Sequence, residues 1–320
     1  MLEKNKKLLE KQHYSVFGKN SGVQICRWTK KSLLNEGECY KQKFYGIKSH
    51  QCCQMSPCIL FCQNKCLHCW RAIENTEGIK LTRENSDMPT EIISGCIAAQ
   101  RKLLTGFKGN DKTNLKKWEE AQNPNQFAIS LSGEPTLYPY IPELVKELRK
   151  KRCSTFIVTN GLNPKVLKKM QKEKSLPTQL YLSLNTPNKE LYNKWHRSSC
   201  RNAWEKFNET LSLFKSLRKD TRTVIRMTLV RNINMNQEQV KDYAELIKKA
   251  NPLFIEIKGY MSVGYARKRL GYETMPTMKE VEEYAMLIAE ETGLKILDKQ
   301  EFSRVVLLGK NNKDRKIKKV

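Results

Sequence analysis

The sequence predicts an α/β protein: a partial (β/α)6 TIM-like barrel with an N-terminal cysteine-bearing extension and a C-terminal addition. Three observations carry that expectation. From residue 57 onward, short apolar runs alternate with amphipathic stretches, the rhythm of βαβ units and a parallel sheet. The runs are nearly continuous in apolar character, which suits strands covered on both faces. There are six of them, which fits a partial barrel better than a closed eight-stranded one. In order they are CILFC (58–62), FAISLS (127–132), TFIVTN (155–160), LYLSL (180–184), TVIRMTL (223–229) and LFIEIKG (253–259). Helical stretches are expected near 90–104, 140–151, 164–173, 201–218, 236–250 and 277–292. This order puts Cys62 at the C-terminal end of the first strand, the edge where parallel sheets gather their active sites.

Three segments are expected. Residues 1–56 form the extension, with one short helix near 2–11; residues 57–292 form the barrel; residues 293–320 add two strands, GLKILD and FSRVVLLG, and a basic tail. The tail GKNNKDRKIKKV reads as disordered, either simply solvated or an arm for nucleic acid. Residues 71–88 and 106–125 are polar and read as surface insertions.

Lys and Arg number 59 against 33 Asp and Glu, a formal charge of +26. Such an excess repels itself unless a polyanion relieves it. Nucleic acid is the first partner this implies, and an anionic membrane surface the second. No apolar run approaches the ~20 residues that span a bilayer. The opening MLEKNKKLLEKQ lacks the apolar core of a signal peptide. A cytoplasmic protein is expected, and clustered cysteines there serve metals or catalysis more often than disulfides. Eight of the eleven cysteines fall between Cys26 and Cys69, a crowding that scattered structural thiols would not produce. The large charge also argues for a monomer.

Cys62, Cys66 and Cys69 form a C-x3-C-x2-C triplet in CILFCQNKCLHCW. Three thiolates on one loop can hold three irons of a 4Fe–4S cluster and leave the fourth without a protein ligand. Such clusters usually take four cysteines, so the open iron points to chemistry. Zinc is the rival occupant, but it prefers paired C-x2-C knuckles and a closed tetrahedron. His68 could complete that tetrahedron only by straining the loop beside Cys69. The triplet resembles that of the radical S-adenosylmethionine enzymes, in which the open iron binds the cofactor's amino and carboxylate groups. The resemblance implies reductive cleavage of that cofactor to a 5′-deoxyadenosyl radical.

The remaining strand ends fit a cofactor pocket. The second strand ends in Ser132-Gly133-Glu134-Pro135-Thr136. Glycine lets backbone approach closely, and a carboxylate accepts from an ammonium group. Alone this is a turn. After the triplet it occupies the place of the radical enzymes' G-G-E motif, with Ser132 where the family has its first glycine. The third strand ends in Thr159-Asn160 and the fourth brings Ser183 and Asn185, small polar groups suited to ribose and carboxylate. Gly259 closes the sixth strand, where the superfamily resemblance implies adenine lying against backbone.

Upstream, Cys26, Cys39 and Cys52 are spaced by thirteen, enough thiolates for a second cluster or simply buried thiols. The triplet, the S-G-E-P-T turn, these cysteines, YGIKSHQC, NAWEKFNETL and GYMSVGYARKRL together resemble the archaeal tRNA 4-demethylwyosine synthases over nearly the whole chain. That resemblance implies a condensation of pyruvate with N1-methylguanosine beside the anticodon of phenylalanine tRNA. It also implies two 4Fe–4S clusters and S-adenosylmethionine, with Cys62, Cys66 and Cys69 on one cluster and Cys26, Cys39 and Cys52 on the other. Cys53 competes with Cys52. The implied mechanism abstracts hydrogen from the N1-methyl group, adds the carbon radical to C2 of pyruvate, breaks C2–C1 with loss of formate or carbon dioxide, and closes the third ring through the guanine exocyclic amine. The electron donor is expected to be a separate protein of ferredoxin or flavodoxin type.

Pyruvate needs an anchor. Lys41 and Lys48 flank KQKFYGIKSH between the second-cluster cysteines, and a lysine of depressed pKa can form a Schiff base with a ketone. Either could equally bind phosphate. The open iron of the second cluster is the preferred anchor, with one lysine assisting. For the RNA, Lys116 and Lys117 beside Trp118, the run Arg267-Lys268-Arg269 and the tail are the expected phosphate contacts. Tyr45, Trp70 and Tyr260 are the aromatics that could receive a base drawn from its stack. Two rival readings remain: a different radical enzyme acting on tRNA, or a metal-stabilised RNA-binding protein without catalysis.

Overall fold

The computed structural model describes residues 2–318. Among the described residues, ten strands form one open sheet in the order β1-β2-β3-β4-β5-β6-β7-β8-β10-β9. Its centre is parallel: β3 (Cys52–Ser56), β4 (Gln126–Ile129), β5 (Ser154–Thr159), β6 (Gln179–Ser183), β7 (Arg222–Leu229) and β8 (Phe254–Gly259). An antiparallel hairpin, β1 (Ser15–Phe17) and β2 (Ser21–Gln24), extends one edge. β10 (Val305–Gly309) and β9 (Lys295–Gln300) extend the other, also antiparallel. The six parallel strands and the C-terminal antiparallel pair agree with the sequence.

The first strand does not lie where hydropathy put it. It is Cys52–Ser56, not 58–62. Pro57 lacks an N–H and ends the ladder. The apolar run behind it is buried as a loop among Leu9, Tyr14 and Leu131. Two further differences concern polar stretches. Residues 106–125 contain a helix, Leu115–Ala121. The basic tail is anchored at Arg315 and Ile317: the Ile317 N–H donates to the Tyr45 carbonyl (2.9 Å), and Arg315 donates to the Phe44 carbonyl (3.3 Å). Residues 319 and 320 lie outside the described residues.

Because strand side chains alternate faces, the sheet separates two cores. The outer one receives Cys53, Met55, Phe127, Ile129, Ile157, Leu180, Ile225 and Ile257 against flanking helices. These include α4 (Pro89–Leu104), α6 (Ile141–Lys150), α9 (Ala203–Leu217), α10 (Val240–Ala250) and α11 (Met278–Thr292). The inner core holds Phe156, Tyr181, Val224, Phe254, Val305 and Leu307 around the short helix α3 (Tyr40–Tyr45). The extension thus fills the barrel's interior, which in a wider closed barrel would be filled by strand side chains.

Candidate active site

The triplet loop is held from three sides. Below it lies the turn after β4. The Ser132 hydroxyl donates to the Ile59 carbonyl (2.5 Å), the Glu134 N–H to the Phe61 carbonyl (2.7 Å), and the Cys58 thiol to the Glu134 carbonyl (3.2 Å). Gly133 has φ +74°, and a Cβ there would sit 1.9 Å from the Cys58 carbonyl oxygen. Only glycine permits this approach. On a second side, the end of α8 (Lys189–His196) receives the loop: Lys65 N–H donates to the His196 carbonyl (2.9 Å) and Leu67 N–H to that of Trp195 (3.1 Å). On the third, Arg269 donates to the Leu67 carbonyl (3.2 Å), the Cys69 carbonyl and the Arg71 carbonyl (3.2 Å).

Cys62, Cys66 and Cys69 line one cavity of about 270 Å³ with Asn64, His68, Trp70, Arg71, Glu134, Asn160, Ser183 and Arg226. Arg71 donates to Cys69 Sγ (3.3 Å). Burial opposes its charge, but Cys62, Cys69 and Cys66 outweigh that and hold it protonated. His196 Nδ1 stands 3.0 Å from Cys66 Sγ. Burial, and then His68, pull the His196 pKa down to about 3, so that ring is neutral. Among the described residues no three His, Cys, Asp or Glu side chains converge as the ligands of a single ion do. A 4Fe–4S cluster takes each thiolate on a separate iron.

Glu134 is buried, and burial raises its pKa against four hydrogen bonds. These come from the Thr136 N–H (3.1 Å) and hydroxyl (2.6 Å), the Thr159 hydroxyl (2.7 Å) and the Asn160 N–H (2.7 Å). No cation among its contacts balances it, so an ammonium group would complete its environment. Both amide atoms of Asn64 and His68 Nδ1 are also buried without partners. Three thiols, an uncompensated carboxylate and orphaned polar atoms fit a 4Fe–4S cluster carrying S-adenosylmethionine. The other expected contacts divide. Asn160 and Ser183 face the cavity, but the Thr159 hydroxyl is committed to Glu134. Asn185 accepts from the Thr228 N–H (2.9 Å) and does not line the cavity. Gly259 also stands apart, its N–H donated to the Arg304 carbonyl (2.8 Å).

A second, smaller cavity of about 70 Å³ gathers Cys26, Cys39, Cys52 and Lys41. Ser130 lines both cavities, so they adjoin at the end of β4. The three thiols act on one another: burial, then Cys26, push Cys39 up to about 12, with Lys41 opposing. Alternation separates the neighbours that spacing could not, because Cys53 is turned into the outer core. Lys41 is 9 % exposed. Its Nζ lies 5.1 Å and 5.0 Å from the ring centres of Phe156 and Tyr181. Burial, then Arg226, lower its pKa. Lys48 differs: its side chain is 53 % exposed and paired with Glu120 at 2.8 Å.

Behind Arg226, which lines the first cavity, runs a network that the sequence did not reveal. Glu256 is fully buried and accepts from Tyr40 (3.0 Å), Tyr45 (2.7 Å) and Arg226 Nη2 (2.6 Å). Its signal was present: Arg226 and Glu256 are opposite charges in the middle of strands of mainly apolar sequence, and they are paired residues in the β7–β8 register. Of the aromatics considered for a displaced base, Tyr45 and Tyr260 are buried; Trp70 lines the first cavity and stacks on Tyr14 (5.9 Å, 17°).

A family model for the radical SAM superfamily matches residues 56–247, and one for wyosine base formation matches residues 249–310. The S-adenosyl-L-methionine-dependent tRNA 4-demethylwyosine synthase of Pyrococcus horikoshii is 48% identical over 308 residues, covering 96% of this chain and 89% of its own length. The chain belongs to the tRNA 4-demethylwyosine synthase family. Its fold agrees: a solved TYW1 with a lysine-pyruvate adduct bound superposes with TM-score 0.86 at 36% identity, covering 99% of this chain and 98% of that one. An archaeal TYW1 crystal structure matches with TM-score 0.79 at 33% identity, covering 99% of each chain. As radical SAM members, synthases of this family use S-adenosylmethionine and a 4Fe–4S cluster. No helix among the described residues is long and apolar enough to cross a membrane.

Proposed function

We propose that the protein condenses N1-methylguanosine, next to the anticodon of phenylalanine tRNA, with pyruvate to form 4-demethylwyosine. The observation that carries this is the adjacency of two thiol-lined cavities, one with a buried cation-seeking carboxylate and the other with a buried lysine. Cys62, Cys66 and Cys69 hold the radical-generating cluster, and Cys26, Cys39 and Cys52 hold a second. When bound, the first cluster and S-adenosylmethionine supply hydrogen abstraction. Glu134 accepts from the cofactor's ammonium group, and Arg71 offsets the thiolates' negative charge.

Lys41 anchors pyruvate, in place of Lys48 or of the open iron of the second cluster that the sequence favoured. Its amine is kept from water by Phe156 and Tyr181, and burial, then Arg226, shift it towards the neutral form that adds to a ketone. Addition at C2 releases water and leaves an imine on Nζ. Lys48 is half-exposed and paired with Glu120, so it lacks that apolar shelter. The solved TYW1 with its lysine-pyruvate adduct supports this reading. The +26 charge suits a tRNA partner, and an external ferredoxin- or flavodoxin-type protein supplies electrons to a cytoplasmic monomer.

The test is anaerobic. The protein is reconstituted with iron and sulfide, then given dithionite, S-adenosylmethionine, pyruvate and tRNA bearing N1-methylguanosine, and the digested nucleosides are analysed by mass. A tricyclic nucleoside that requires pyruvate is expected. Formation of 5′-deoxyadenosine without a new base would reject the substrate assignment while leaving the radical site standing.

A further inference from the structure

In sequence, Arg269 belongs to a basic run suited to RNA phosphates. In the structure its side chain is only 11 % exposed, and its donors are directed inward. Nε reaches the Leu67 carbonyl, Nη2 those of Cys69 and Arg71, and Nη1 the Glu74 carboxylate (2.9 Å). These are alternate residues of the cysteine loop, so one planar guanidinium sets three carbonyls in register. The same segment grips the loop again nearby. The Tyr265 N–H donates to the Trp70 carbonyl (2.8 Å). Gly264 has φ +56°, and a Cβ there would lie 2.3 Å from that same carbonyl oxygen.

The opposite face of the segment is open. Arg267 and Lys268 are exposed, Lys268 lies over the Tyr265 ring (4.7 Å), and Val263 and Tyr272 are 45% and 73% exposed. A cationic and aromatic surface of this kind suits RNA, where phosphates pair with cations and bases stack on rings. The segment lies within residues 249–310, the part matching wyosine base formation, whereas the loop it grips lies within the radical SAM part.

We propose that residues 261–272 form a latch whose inner face, through Arg269 and Gly264, holds the cysteine loop in register. Its outer face, through Arg267, Lys268 and Tyr272, takes the tRNA. Arg269 is a positioning residue and not a phosphate ligand. Docking of RNA and retention of the cluster are linked through this one turn, an inference that rests on the tRNA reading above for its outer face only. RNA bound outside restrains the turn, and the restrained turn keeps the three thiols where iron needs them.

The test measures iron release to a chelator from anaerobically reconstituted protein, with tRNA affinity measured in parallel. Wild type, Arg269→Ala, Arg269→Lys and the Arg267→Ala/Lys268→Ala double variant are compared. Each is repeated with Cys39→Ala, so that the iron comes from the 62–69 loop. Arg269→Ala is expected to release iron roughly tenfold faster, the effect of about one charged hydrogen bond, with tRNA affinity within about twofold of wild type. Arg269→Lys, whose single ammonium cannot span three carbonyls, falls between and carries the test if the alanine variant does not fold. The double variant keeps wild-type release and loses tRNA affinity. Saturating tRNA slows release in wild type but not in Arg269→Ala. Unchanged iron release together with lost tRNA affinity in Arg269→Ala would overturn the proposal. Faster release in Arg269→Ala with no tRNA effect in the double variant would uphold the inner grip and refute the outer surface.

Discussion

Replacing Gly133 by alanine tests how the cysteine loop is seated. The left-handed φ of +74° costs a non-glycine residue about 1 kcal/mol. The larger effect is steric. A Cβ 1.9 Å from the Cys58 carbonyl and 2.9 Å from that of Phe61 meets backbone, not a side chain that could swing away. Relief requires the loop to retreat by more than an ångström, roughly the gap to ordinary contact. That retreat breaks the Glu134-to-Phe61 and Ser132-to-Ile59 hydrogen bonds, each contributing about 1 kcal/mol. The sum is a destabilisation of about 3 kcal/mol, concentrated at the cysteine loop. Urea unfolding of the iron-free protein and iron per chain after reconstitution would both be measured. The expected result is a lower unfolding midpoint together with iron loss confined to the 62–69 site, while Ser132→Ala shows about a third of the effect. A Gly133→Ala protein within about 0.5 kcal/mol of wild type and fully loaded with iron would refute this reasoning.

Four other outcomes are expected. Cys52→Ala should lose the iron of the second site while Cys53→Ala keeps it, since only Cys52 faces Cys26 and Cys39; iron counts distinguish them, and equal losses would contradict the face assignment. Borohydride with pyruvate should trap an adduct on Lys41 and none on Lys48, read by peptide mass. Burial disfavours the Glu256 carboxylate, but Arg226 and Lys41 outweigh this and lower its pKa. Its stabilisation is therefore complete above the unfolded value of about 4.3 and fades as pH falls through the folded one. Glu256→Gln should cost about 3 kcal/mol at pH 7, by leaving Arg226 unpaired, and should flatten the acid limb of stability measured by denaturation. Finally, tRNA affinity should fall steeply with salt, by about 10³-fold or more between 50 and 200 mM if six or more phosphates are contacted; a flat titration would remove the polyanion reading.

The alternation of apolar runs with helices made the parallel sheet legible, because covered strands and amphipathic helices differ in period. The three clustered cysteines and the turn at Ser132–Glu134 were legible because their spacing is local. What was not legible depended on contacts made far along the chain. The run at 58–61 has a strand's hydropathy, and only Pro57 and the packing of Leu9 and Tyr14 make it a loop. Residues 40–45 are too short to show a helical period, and nothing local reveals that Tyr40 and Tyr45 meet Glu256 inside the barrel. Arg269 looked like its neighbours Arg267 and Lys268 because composition does not report direction. Cys52 and Cys53 could be told apart only once a strand ran through them.

The helix that fills the barrel also bears on the order in which the two thiol sets become enclosed. Tyr40 and Tyr45 bond to a residue 216 and 211 positions later, and the Tyr45 carbonyl is closed off by Ile317. On a ribosome, Cys26, Cys39 and Cys52 emerge first and the residues lining their cavity are complete by Ser130, yet the carboxylate that anchors the helix between them arrives only with Glu256. The triplet at Cys62–Cys69 meets its turn by residue 134 and its histidine by residue 196, well before Glu256 is made. Contacts this distant in sequence form late in folding, and their surfaces stay open meanwhile. The thiols made earliest are thus the ones whose supporting helix is anchored last, and the second site stays open to iron until Glu256 has been made.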